Sequence, residues 1–336
     1  MGTINRHFII FSAVVLFLSA TVAYSRESKD YVNDVRNLTA TYNSEIGMDV
    51  APIAEDLKQL EVYIAKLGPQ DQSEPMKHLY EKLIYIIEGQ GHTLIWRHEG
   101  QDPIRLEWEA GDLLSTPVNF RHQHHNDSPT EDAVLYHVTT KPLIGIVLGD
   151  EFAQHVDYAA DSIWDEYYPI KEPMPTGKTT EAYVEMKGGF VVKNIDDREL
   201  PYNRPGHFGI AFLPFEGRNM AGNHLFELQI FDLEPPTESP YNSHPWEVVY
   251  YVLDGSGGGL FHLDGEEPEY LRFKKGDVFF ERANKWHWHA PLKGSKYRII
   301  QIKASAWFRD TMGVEPIYID KPSSFDEFFE EVSNRM

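Results

Sequence analysis

The feature that most constrains this chain is that it carries one pattern twice. His78-Leu-Tyr-Glu81-Lys-Leu-Ile-Tyr85-Ile-Ile-Glu-Gly89-Gln-Gly91 recurs 166 positions later as His244-Pro-Trp-Glu247-Val-Val-Tyr-Tyr251-Val-Leu-Asp-Gly255-Ser-Gly257. Histidine, glutamate, tyrosine and both glycines coincide, and an aromatic residue stands two places after each histidine. A second block follows at an offset of 165, where Gly111-Asp112, Asn119, His122 and His124 match Gly276-Asp277, Asn284, His287 and His289. Two blocks in one order at nearly one offset indicate a duplicated domain. A length of 336 residues accommodates two copies of roughly 150 residues.

After Gly68-Pro69 the chain consists of short Ile, Val, Tyr and Phe runs broken by Gly, Asp and Pro, the texture of antiparallel sheets or barrels. Glu88-Gly89 and Asp254-Gly255 are turn signals that need positive φ. The expected order is a targeting segment (1–25), an N-terminal helical extension (26–69), a first barrel (70–165), a Pro-rich linker (166–200), a second barrel (201–310) and an acidic helical tail (311–336). In the extension, Leu57, Leu60, Ile64 and Leu67 are spaced for one face of a helix over Ile53–Leu67, with Asp49 as cap and Pro52 near its start. The targeting segment is read from Arg6 and His7 before the apolar run Phe8–Leu18, and from the small residues Ala23 and Ser25 at a cleavage site. It implies export to a periplasm or the exterior, without stable membrane insertion once removed; an uncleaved anchor over Phe8–Tyr24 is the alternative.

The formal net charge of −21 disfavours contact with phosphate backbones, and no nucleic-acid partner is expected. The chain has no cysteine, which excludes disulfides, thiolate metal ligands and a cysteine nucleophile. A metal must therefore be held by histidine, carboxylate, amide or water. His78 and His122 in the first copy, and His244 and His287 in the second, lie on predicted strands whose alternate side chains face a barrel interior. His124 and His289 follow at i+2 on the same face. Each half thus offers three imidazoles to one space, a set that suits a divalent iron, manganese, nickel, copper or zinc ion. Trp246, Trp286 and Trp288 surround the second set as candidate substrate contacts. His92, His98, His125, His137, His155, His207 and His262 lack this pattern and are read as structural.

These blocks resemble the two signature motifs of the cupin superfamily, a His-x-His-x(3,4)-Glu-x(6)-Gly strand pair followed by a Gly-x(5)-Pro-x-Gly-x(2)-His-x(3)-Asn pair. Gly111, Pro117, His122 and Asn126 fit the second motif, with Asn119 in place of its inner glycine. Trp286-His287-Trp288-His289 resembles double-cupin dioxygenases of the gentisate and 1-hydroxy-2-naphthoate type. The resemblance spans about 230 residues, from Glu74 to Phe308. It implies an all-β chain of two tandem cupin (jelly-roll) barrels with short peripheral helices, Fe(II) as the foremost metal, a small-molecule substrate and further assembly into a homo-oligomer. Of the family's ligands, His78, His122, His244 and His287 carry over. The family's first histidine is Met76 in one half and Asn242 in the other, where the Asn242 amide oxygen is a candidate ligand. Glu81 and Glu247 fall one residue early, which turns them to the other face, and Lys82 and Val248 take the usual glutamate place. His124 and His289 either complete the ligand sets or act as acid–base residues.

Three functions follow from this reading. One is a metal-dependent oxygenase on a small, plausibly aromatic molecule. The others are a non-catalytic binding module and a metal-assisted isomerase or lyase.

Overall fold

The computed structural model describes residues 30–54, 56–96, 100–116, 118–149, 186–187, 191–200, 202–204, 207–212, 225–323 and 325. The expected targeting segment, Pro117, most of the linker and residues 326–336 of the tail lie outside the described residues. Among the described residues, no helix is long and apolar enough to cross a membrane.

Two β-barrels of like construction form the molecule. In the first, one sheet runs in the order Val191–Val192, Leu113–Thr116, Lys82–Glu88, Ala133–Thr139, Glu61–Leu67, Met48–Ala54. A second sheet joins Ile104–Glu109, Gln90–Trp96 and Arg121–Asn126. The second barrel repeats this plan, except that Val248–His262 is one strand serving both sheets, where the first half breaks at Gly89. Gly89 and Gly255 have φ of +92° and +75°, as the turn signal requires, and a Cβ on Gly255 would meet Lys296 O at 1.8 Å.

The helix expected over 53–67 is instead the ends of two strands, Met48–Ala54 and Glu61–Leu67, paired with each other. Val62, Tyr63, Ile64 and Ala65 are all buried, because the second strand lies between two others and is covered on both faces. A run buried on both faces has no alternation, and a short apolar run does not distinguish strand from helix. Pro52 is tolerated beside a register shift at the sheet's edge region.

The expected domain boundaries shift for a second reason: the barrels exchange edge strands. Tyr31–Val32, ahead of the first barrel, pairs with Phe279 and Val278 of the second. Val191–Val192, from the expected linker, pairs with Leu114 and Leu113 of the first. The repeated aspartates fasten these strands. Asp277 accepts from Tyr31 Oη (2.7 Å) and Asp34 N (2.9 Å), and Asp112 accepts from Lys193 Nζ (2.6 Å) and Asn194 N (2.9 Å). Asp34 and Asn194 both sit in the left-handed region, at φ of 42° and 48°.

The repeated glutamates also cross between halves. Glu247 accepts from Lys58, Gln59 and Leu60 N at 2.7, 2.8 and 3.1 Å, and Glu81 from Leu225 and Phe226 N at 2.8 and 3.2 Å. Period-two alternation then divides the strands between two cores. Leu83 and Tyr85 with Val249, Tyr251 and Leu253 enter a core shared by the two halves, where the Tyr85 and Tyr251 rings lie 5.0 Å apart. Ile84 and Ile86 face the first barrel's interior, and Val248, Tyr250 and Val252 the second's.

The tail differs in part from expectation. Ile317–Tyr318 is a strand on Asn242–Ser243, and Phe325 packs edge-on against Tyr241.

Candidate metal centre

In the second barrel His244 precedes the long strand and His287 lies on Trp286–Pro291. The two are drawn together by Asn284, whose amide, at φ 65°, donates to His244 O at 2.7 Å. Asn119 does the same for His78 O at 2.8 Å, which explains why this asparagine is repeated. Between the imidazoles stands Glu281, at the end of strand Val278–Glu281. Its Oε2 is 3.5 Å from His244 Nε2 and 3.3 Å from His287 Nε2, and the ligand atoms of the three residues all lie within 4.8 Å of one another.

Each imidazole is held from behind. His244 Nδ1 donates to Trp246 O (2.9 Å) and His287 Nδ1 to Lys285 O (3.0 Å), which leaves both Nε2 lone pairs directed inward. His244 also stacks on Trp246. Glu281 is buried, and the groups that face its carboxylate are the two imidazoles and the Tyr250 hydroxyl. Burial raises the Glu281 carboxyl, but His287, His244 and His289 outweigh it and hold it down at about 2. Burial lowers His287 to about 4 against the pull of Glu281. Near neutral pH the triad is therefore an ionised carboxylate with neutral His287. A buried anion faced only by neutral imidazole and a phenol is costly unless a cation answers it, so the chemistry of this donor set fits a divalent metal ion.

The other expected residues divide as follows. His289 lies beside the triad, lowered to about 4 chiefly by burial, with Nδ1 2.6 Å from Tyr297 Oη. Asn242 is paired in register with His287, and its Nδ2 donates to Pro240 O. Trp246 lines the cavity at the triad. Trp286 and Trp288 alternate with His287 and His289 and point to the other face, where Trp286 Nε1 donates to Asp264 and Trp288 packs with Tyr241, Leu260 and Phe325. That cavity, of about 260 Å³, is walled by Phe231, Trp246 and Tyr250, with Gln301, Lys303 and Arg309 as polar groups.

In the first barrel His78 and His122 also converge, with ring centroids 4.9 Å apart, and His124 lies 5.5 Å from His122. The backing bonds are repeated, from His78 Nδ1 to Tyr80 O (2.7 Å) and from His122 Nδ1 to Phe120 O (3.1 Å). His137, read from sequence as structural, is buried 6.1 Å from His124. The counterpart of Glu281 is Thr116, and among the described residues only the second barrel gathers three metal-type ligands this closely. Glu281 was hidden in the sequence because the ligand sets were built on the repeated histidines and the first copy has no carboxylate at this position. Its one signal was a carboxylate six residues before His287.

Residues 229–299 match the family model described as Cupin domain, and residues 23–172 match the one described as Auxin binding protein. Acireductone dioxygenase of Leptospira biflexa serovar Patoc is 37% identical over 78 residues, covering 23% of this chain and 41% of that protein. Auxin-binding protein 4 of Zea mays is 23% identical over 130 residues, covering 38% and 62%. Both matches span less than two thirds of the relative's length. Among solved structures, salicylate 1,2-dioxygenase from Pseudoaminobacter salicylatoxidans, as its adduct with gentisate, superposes with a TM-score of 0.61 at 15% identity, over 89% of this chain and 88% of that one. A Bacillus subtilis oxalate decarboxylase variant gives 0.55 at 13% identity, over 90% and 84%.

Proposed function

Because the chain is a double cupin in fold, resembling the gentisate-type dioxygenases, we propose that it is a metal-dependent oxygenase whose reaction takes place in the second barrel. The observation that carries this is the buried His244–Glu281–His287 triad at the wall of a small cavity. Two histidines and one carboxylate with positions left open form the donor set of non-haem Fe(II) oxygenases, and Fe(II) is the ion we assign. Bound there, the ion would supply a Lewis-acidic centre able to take O2 and substrate side by side. A cavity of about 260 Å³ limits the substrate to one small molecule, and Phe231, Trp246 and Tyr250 suit a planar one. His289 remains neutral near pH 7, with Nδ1 held by Tyr297, which leaves Nε2 to exchange a proton with the substrate. Export to a periplasm or the exterior, with the mature chain starting at Arg26, is part of the same proposal; N-terminal sequencing of the secreted protein tests it.

The test is metal analysis of the purified chain followed by O2 uptake on catechols and hydroxybenzoates. Metal with O2 consumption is expected, and both should disappear in Glu281→Ala. Metal without O2 use on any substrate would overturn the oxygenase in favour of an isomerase or lyase.

A second reading has its own support. The match to the Auxin binding protein model over residues 23–172 covers the first barrel and favours non-catalytic capture of a small molecule by this chain. Saturable ligand binding by the metal-loaded chain, with no product formed, is what that reading predicts.

A further inference from the structure

The two barrels differ at one rung of an otherwise repeated ladder. Val248 pairs with Glu281 in the second barrel, and Lys82 pairs with Thr116 at the same rung of the first. Residues directly opposite on antiparallel strands project to one face, so each pair points into its barrel. One barrel therefore places an apolar side chain and a carboxylate beside its histidines. The other places an amine and a hydroxyl there.

Lys82 is fully buried, and its amino group contacts Met76 Sδ at 3.7 Å. Facing it are His78, His122 and His124, whose Nε2 atoms are buried without hydrogen-bond partners. For His78 and His122 the backing bonds to Tyr80 O and Phe120 O consume Nδ1–H, so Nε2 offers a lone pair. Burial lowers the imidazoles of His78, His122, His124 and His137, and Lys82 lowers each of them further. The set does not fit a metal ion. It has no carboxylate to balance a second cation, and the lysine would repel that cation at short range in a dry interior.

We propose that Lys82 takes the place of the ion in the first barrel, making that barrel a lysine-filled counterpart of the metal centre. Exchanging one rung then opens it. Lys82→Val with Thr116→Glu transplants the second barrel's rung at almost equal total side-chain volume, so that the new carboxylate is balanced when an ion binds. The proposal rests on the second barrel being the metal site, and its test separates the two.

Full-length protein is loaded with Co(II) or, without oxygen, Fe(II), and bound metal is counted by mass spectrometry. About one ion per chain is expected for the wild type, none for His244→Ala/His287→Ala, and about two for Lys82→Val/Thr116→Glu. Adding His78→Ala to the exchanged rung should return the count to that of the wild type. A wild type with two ions, one of them lost in His78→Ala, would overturn the proposal, as would a folded rung-exchange variant with no extra ion. Should that variant fail to fold, Lys82→Met, which removes the charge at similar volume, is expected to take up an additional Co(II) ion on the three imidazoles; no uptake counts against the proposal. A wild type with no ion at all sinks the second-barrel centre instead, and a rise from none to about one on rung exchange would still support the role of Lys82.

Discussion

Glu281 supplies the negative charge of the second barrel's centre, and its environment keeps it ionised when buried. Replacing it with glutamine keeps the shape and removes the charge. Metal affinity is then expected to fall by more than the roughly 100-fold typical of losing a supporting hydrogen-bond partner; titration with a metallochromic competitor measures this. Lys82 is the opposite case, a buried base that burial lowers to about 7. Its folded pKa lies below the unfolded value, so between pH 7 and about 10.5 the unfolded chain binds the extra proton and stability rises with pH. Below pH 7 both states bind it, and a cost of about 5 kcal/mol is fully present. Lys82→Met should accordingly be more stable than the wild type at pH 6–7, with the advantage shrinking as the pH approaches 10. Urea midpoints across that range will show the convergence, and an advantage independent of pH would contradict the assignment.

At the scale of elements, the repeated glutamates and aspartates act as fasteners between segments distant in sequence. Glu247 satisfies three backbone N–H groups of Lys58–Leu60, and Glu81 satisfies two at Leu225–Phe226. Hydrogen bonds to a charged acceptor contribute about 1.5–3 kcal/mol each, and the stranded donors add to the loss. Glu247→Ala and Glu81→Ala are each expected to cost on the order of 4 kcal/mol. Denaturant titration measures both losses, and a loss below about 1 kcal/mol in either variant would contradict the fastening role. Asp277→Ala should free the Tyr31–Val32 strand, read as faster amide exchange at Val278 and Phe280, while Asp112→Ala does the same at Leu113.

Across the whole molecule, the strand exchange and the shared tyrosine core make the halves interdependent. Tyr85, Tyr136 and Tyr251 meet at that core, with ring centroids 5.0 and 5.2 Å from Tyr251. Tyr251→Ala would leave a cavity costing about 3–5 kcal/mol. A single unfolding transition is expected for the wild type by calorimetry. Two well-separated transitions would show that the exchanged strands do not couple the barrels.

Much of this was legible in the residues themselves. The duplication is visible as spacing, the barrel as alternation with Gly-Asp turns, and the convergence of His78 with His122 and of His244 with His287 follows from their repeated positions. Those signals are local or periodic, and a linear sequence preserves them. The roles of the other repeated residues were hidden because each acts on a distant partner. Glu81 and Glu247 are aimed at the opposite half, Asp112 and Asp277 hold exchanged strands, and Asn119 and Asn284 clasp the histidine loops. Comparing the copies also concealed what differs between them. Glu281 is matched to a threonine, and Lys82 to a valine. Only tertiary structure decides that Glu281 stands between two imidazoles and that Lys82 lies among three, because strand pairing across a barrel, and not distance along the chain, sets which charges share a dry interior.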